Sequence, residues 1–221
     1  MLSKYFSSQR TEIGLLFFST VFCLSLLVFR LVYTESMFLI FLCWNLFLAA
    51  IPWLIASVLT HFQQFHNQKY IFIIMLFAWM LFFPNAPYIL TDLFHLNKGG
   101  LMPQWFDLIL ILSFAWTGLI FGFFSLMRLE KTAQNLMPPF WVKTTIAILL
   151  FLSSFGIYLG RFLRWNSWDI ISDPLGLMIA IGERIIFPFA HSRTWGVTLL
   201  LGILLNMIYW SMRIINTNER K

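Results

Sequence analysis

WFDLILILSFAWTGLIFGFFSLM, residues 105–127, runs for 23 residues that are almost wholly apolar. A helix needs about 20 such residues to cross the hydrocarbon layer of a membrane. The same rule applied outward finds five more runs, at 13–33, 37–59, 70–84, 143–160 and 195–213. The third is short and leads directly into a polar stretch, which suits a helix whose end is buried in protein. The chain is 60% hydrophobic, 19% aromatic and 11% charged. Soluble domains carry about 25% charged residues, so lipid is the solvent this chain is built for. The fold expected is all-α: one multi-pass membrane domain over residues 1–221, a polytopic bundle of six spans with short interfacial or re-entrant helices on its outer face.

Residues 174–190, PLGLMIAIGERIIFPFA, are apolar but too short to count as a span. Glu183 and Arg184 interrupt them and Pro188 ends them, a pattern of interfacial or re-entrant helices. The first apolar run is too long for a signal-peptide core and no small-residue cleavage site follows it, so it reads as an uncleaved anchor. Cys23 and Cys43 lie inside apolar runs with no paired spacing, and read as packing residues.

The net charge of +6 points to membrane orientation rather than to nucleic acid, because no basic run is interleaved with aromatics on a polar surface. With six spans and the N-terminus inside, nine Lys and Arg fall on the cytoplasmic side and six on the outer side. That bias places both termini in the cytoplasm of a cell-membrane protein. Counting 174–190 as a seventh span would put the basic C-terminal tail outside, against the rule.

Two polar stretches then emerge on the same outer face. The first is FFPNAPYILTDLFHL, residues 82–96. Pro84 and Pro87 end the third helix, Asn85 is placed to bond the backbone groups freed there, and Pro87 suits the first turn of a new helix. An α-helix over 87–96 would gather Tyr88, Thr91, Asp92 and His95 on one face, with Asn97, Lys98 and the Gly99–Gly100 pair as a stop. The second is GRFLRWNSWD, residues 160–169. Continued as a helix it aligns Arg161, Arg164, Trp165 and Trp168, with Asn166 and Asp169 at its end. Arginine there can grip a carboxylate or a phosphate, and Asp92 is a ready partner for Arg161 or Arg164.

Polar side chains at membrane depth are costly and are functional by default. His95, Asp92 and Tyr88 are therefore the candidate catalytic group. Asn85, Arg161, Arg164, Asn166, Trp168 and Asp169 are the candidate substrate-binding group. The bland reading of the same residues is an ion pair tying two outer segments, a capping asparagine and an aromatic belt. Asp92 and His95, with Asp169 and His191, are ligand types that suit zinc or iron, but no dense HExxH-like spacing supports a metal. No GxSxG elbow and no glycine-rich phosphate loop occurs. His61 and His66 read as solvated loop residues. Asn45 and Asn206 read as hydrogen-bonding glue between helices, and Pro52 as a kink in the second helix.

PNAPYILTDLFHL, YLGRFLRWNSWD and the earlier WNLFLAAIP resemble the bacterial integral membrane family catalogued as domain of unknown function 1361. The resemblance covers nearly the whole chain and implies a multi-pass membrane protein, with no activity or cofactor to transfer. Three functions fit the residues. One is a membrane-embedded enzyme acting on a lipid or lipid-linked substrate, with His95 as acid or base, Asp92 positioning it and the arginines holding phosphate. The second is a small transporter or flippase. The third is a non-catalytic assembly partner. Expected partners are membrane lipids, and another copy of the chain or a second membrane protein.

Overall fold

The computed structural model describes residues 2–61, 69–96 and 101–218. His66, Asn97, Lys98 and the Gly99–Gly100 stop lie outside the described residues, as does the side chain of His61. The elements are α1 (Leu2–Thr34), α2 (Phe41–His61), α3 (Lys69–Phe82), α4 (Asn85–Tyr88), a 3₁₀ helix (Ile89–His95), α5 (Gln104–Gln134), α6 (Pro139–Leu163), α7 (Asp169–Ser172), α8 (Pro174–Ile186) and α9 (Ser192–Asn218). No strand occurs among the described residues.

Six segments are long and apolar enough to cross a membrane: Arg10–Thr34, Phe41–Thr60, Tyr70–His95, Gln104–Gln134, Pro139–Leu163 and Ser192–Ile215. The protein is a multi-pass helical membrane protein. Successive crossings put the α1–α2 connection, the 82–96 stretch and the α6–α9 connection on one face, called here the motif face. α8 is only 13 residues long and is not among the six. None of its residues is buried, and Leu175, Met178, Ile179 and Ile186 are all exposed.

α5 is the hub. In its most apolar stretch 67% of the residues are buried, against 22–39% for the other five spans. It packs on α1, α2, α4, the 3₁₀ helix and α6, while α9 lies against α6. Leu110, Ile111, Phe114 and Ala115 join the core shared with α1 and α2, and Phe123 and Leu126 join the core shared with α6 and α9. Without a hydrophobic drive between helices in lipid, close packing and buried polar contacts hold such a bundle.

Four ion pairs supply those contacts. Arg30 of α1 grips Asp107 of α5 with two bonds, at 2.7 and 3.2 Å, on the motif face. Glu12 of α1 meets Arg128 of α5 at 2.7 Å on the opposite face, where Trp53 donates to the same carboxylate at 2.7 Å. Glu130 of α5 takes Arg213 at 2.6 Å and the Tyr209 hydroxyl at 2.6 Å, tying α9 to the hub. Asp92 and Arg161 form the fourth, at 3.2 Å. From Glu12 to Arg30 α1 rises about 27 Å, and from Asp107 to Arg128 α5 rises about 31 Å, at about 1.5 Å per residue. The two pairs joining α1 to α5 therefore bracket a layer of about 30 Å, the thickness of a hydrocarbon core.

α2 continues through Pro52. Asn206 turns inward on its own helix, donating to the Gly202 carbonyl at 2.8 Å and accepting from Trp210 at 3.3 Å. The expected bond to a neighbouring helix is replaced by this local one. A short amide finds a carbonyl one turn away more readily than a partner on another helix.

Candidate functional site

The site begins with the broken end of α3. Pro84 has no N–H, so the carbonyls of the last turn need other donors. Asn85 Nδ2 donates to the Phe82 carbonyl at 3.0 Å, and Ser167 Oγ donates to the Leu81 carbonyl at 3.2 Å. The Ala86 N–H takes the Phe83 carbonyl at 3.1 Å. Asn85 Nδ2 also reaches Ser167 Oγ at 3.3 Å, so the loop after α6 is pinned onto the break. The capping role expected of Asn85 is present, and Ser167 shares it.

Two pairs of glycines make room for the segment that follows. A Cβ at Gly118 would lie 2.8 Å from the Ala86 carbonyl oxygen, and one at Gly122 would lie 2.7 Å from the Ala86 Cβ. On α6, a Cβ at Gly156 would meet Pro84 at 3.3 Å, and one at Gly160 would meet Tyr88 at 3.3 Å. The segment Pro84–Ile89 is clasped between two GxxxG faces. Their function in membranes is to let backbones approach closely.

The chain then runs on as a single α-turn and seven residues of 3₁₀ helix, rather than as the α-helix expected from Pro87 onward. The change of pitch regroups the side chains. With three residues per turn, Ile89, Asp92 and His95 form one stripe and Tyr88, Thr91 and Phe94 another. Arg161 lies over the second stripe, its guanidinium carbon 5.9 Å from the Tyr88 ring centre and 5.6 Å from that of Phe94. Thr91 closes locally on the Tyr88 carbonyl at 2.7 Å.

Asp92 is fully buried, with 0% exposure. Asn45 of α2 donates to one carboxylate oxygen at 2.8 Å, and Arg161 Nη1 donates to the other at 3.2 Å. The predicted pairing is therefore present, with Arg161 as the partner. The bridging role expected of Asn45 is present too, and its partner is the site's own carboxylate. Asn45 lies about 18 Å along α2 from Ser57, which bonds Arg128 on the opposite face, so the centre is recessed about 10 Å beneath the Arg30–Asp107 layer.

His95 leaves this centre for an aromatic setting. Its ring lies 5.0 Å from that of Phe41 and 6.2 Å from that of Phe38. Asp92 spends its two oxygens on Asn45 and Arg161, so it orients the arginine more directly than the histidine.

The rest of the predicted binding group is dispersed. α6 ends at Leu163, and Arg164 takes a left-handed conformation at φ 63° with its side chain exposed. That stop breaks the expected Arg161–Arg164–Trp165–Trp168 stripe. Asp169 serves its own loop, accepting from the Asn166 N–H at 2.6 Å and from Ser172 at 2.9 Å. The Asn166 N–H first, and then the Ser172 hydroxyl, hold its carboxyl below the usual carboxylate range. Trp168 is half-exposed at the start of α7. His191 sits at the turn before α9, its N–H on the Pro188 carbonyl. No group of three His, Cys, Asp or Glu able to hold a metal occurs among the described residues.

The Arg30–Asp107 pair and the two GxxxG faces were not among the residues the sequence singled out. The glycine spacing of Gly118–Gly122 and Gly156–Gly160 was a usable signal, because small residues four apart on apolar helices mark a close approach.

The chain matches the family model described as Protein of unknown function (DUF1361) over residues 44–208. It belongs to that family. The DUF1361 match takes in Asn45, the whole 82–96 stretch, both glycine pairs and Arg161, and leaves out α1 with its Glu12 and Arg30. No curated protein and no solved structure matches the chain.

Proposed function

We propose that this protein works at the outer leaflet of the cell membrane, as a membrane-embedded enzyme on a lipid or lipid-linked substrate, through the centre built on Asp92, Asn45 and Arg161. One observation carries the reading. The other three ion pairs each join two continuous spanning helices, whereas Asp92 lies beyond the proline break, in the 3₁₀ end of the third span, and holds Arg161 there. A recessed carboxylate that fixes an arginine against Tyr88 and Phe94 resembles a built site more than a brace. In this reading Arg161 holds an anionic group of the substrate, Asp92 and Asn45 position Arg161, and His95 supplies the acid or base.

Arg161→Lys should impair function, because lysine keeps the charge but lacks the planar fork that grips phosphate or carboxylate. His95→Gln should abolish it, because glutamine hydrogen-bonds but does not titrate near neutral pH. The test is complementation of a deletion strain, with folded yield and thermal stability measured alongside.

A second reading is favoured by the saturation of Asp92: a fully buried carboxylate with both oxygens occupied can also be a brace in a non-catalytic assembly partner. That reading requires full complementation by His95→Gln.

The excess of Lys and Arg on the opposite face supports the outer placement of the site. On a background with Cys23 and Cys43 replaced by alanine, a cysteine at exposed Leu101 should react with an impermeant maleimide on intact cells, and one at exposed Leu136 should not. The reverse pattern would invert the topology.

A further inference from the structure

We infer that Arg193 completes a headgroup site on the motif face, where it and Arg161 bind the anionic headgroup of a phospholipid. This rests on the reading just given and names its ligand class. The guanidinium carbon of Arg193 lies 4.4 Å from the centre of the Phe162 ring. Phe162 in turn lies 6.2 Å from Phe94, and Phe94 carries Arg161 at 5.6 Å. Two guanidinium groups from α9 and α6 thus flank one pair of phenyl rings, the second ring supplied by the 3₁₀ helix. An arginine stacked on a ring is held in place while its N–H edge stays open to an anion.

The charge balance asks for such an anion. Arg161 commits only Nη1 to Asp92, and among the described residues no carboxylate lies within ion-pair reach of Arg193. The acids of the motif face have partners of their own: Asp107 has Arg30, Asp169 its own loop, Asp173 the Gly176 N–H at 3.0 Å, and Glu183 Arg184 at 3.5 Å. Exposed Arg193 is thus open to an anion from outside the chain. Its setting favours a lipid over a soluble anion. Arg193 is the second residue of α9, where an apolar span meets the headgroups, and Arg161 lies in the last turn of α6 beside the recessed Asp92, so the two mark a path from the headgroup level into the centre. The Phe94–Phe162 pair offers apolar surface beside them for the first carbons of a lipid.

The test uses the full chain in mild detergent, titrated with phosphatidylglycerol and with phosphatidylcholine of matched acyl chains, bound lipid being counted by native mass spectrometry. Phosphatidylglycerol should bind about tenfold more tightly than phosphatidylcholine, and Arg193→Ala should remove that preference, as expected for loss of a charge-assisted contact. Arg193→Lys should keep only part of it. Equal binding of the two lipids, or an unchanged preference in Arg193→Ala, would overturn the inference. Displacement of the lipid by millimolar inorganic phosphate would overturn the lipid assignment in favour of free phosphate. The outcome is separable from that of the proposed function. An Arg193-dependent preference alongside full complementation by His95→Gln would keep the headgroup site and remove the enzyme.

Discussion

Asp107→Ala should destabilise the folded protein by about 3–5 kcal/mol, because it strands a guanidinium with no water to receive it. Arg30 is 0% exposed, and Asp107 is its ion-pair partner. The Phe38 ring at 6.0 Å offers only a weak substitute. Folded yield and midpoint of thermal unfolding in detergent are the measurements. The double replacement Arg30→Met with Asp107→Leu should recover most of the loss, since removing both charges leaves nothing uncompensated. Loss of yield in the double variant equal to that in the single would show that the pair is not the cause.

Gly118→Val should have the second large effect. Its Cβ would meet the Ala86 carbonyl oxygen at 2.8 Å and the Ile89 side chain at 2.8 Å, and a backbone oxygen cannot swing aside as a side chain can. Overpacking of this kind costs about 1–3 kcal/mol or more. Here it would also push the clasped segment off α5 and separate Asp92 from Asn45, so function should fall further than stability does. Gly14→Val is the control, because nothing lies within 4 Å of a Cβ there. If Gly118→Val behaves like Gly14→Val, the clasp does not hold the segment.

The six spans were legible because a membrane imposes a length and a composition, and both are local properties of a sequence. Residues 174–190 were separable from them for the same reason: the helix there is 13 residues long and carries Glu183 and Arg184. The break at Pro84 and the capping by Asn85 could be read from the chemistry of proline and asparagine. What periodicity misjudged was pitch. A face drawn at 3.6 residues per turn gathers Tyr88, Asp92 and His95, but the segment winds at three, and His95 finds Phe38 and Phe41 instead. The stripe after Gly160 failed for a related reason. The left-handed Arg164 ends α6, and nothing in its type signals that stop, since glycine or asparagine is the usual residue there. Contacts between distant helices carry no local signature at all. Asn45 was recognisable as a polar point in an apolar helix, but its bond to Asp92 is set by how α2 lies against the 3₁₀ helix. Arg193 likewise carries no local signal, and only the packing of α9 brings it onto Phe162.

The distinction between a working site and a brace can be put to one measurement: complementation by the double variant Asp92→Asn with Arg161→Gln. Asp92→Asn alone leaves Arg161 without its carboxylate, and the expected loss is about 3–5 kcal/mol with reduced folded yield. Neutralising both partners removes the uncompensated charge, and stability should return close to that of the native protein. If the centre exists to hold an anionic group, the double variant folds at near-native level and does not complement the deletion strain. Full complementation by the folded double variant would contradict the account and reduce the Asp92–Arg161 pair to a brace.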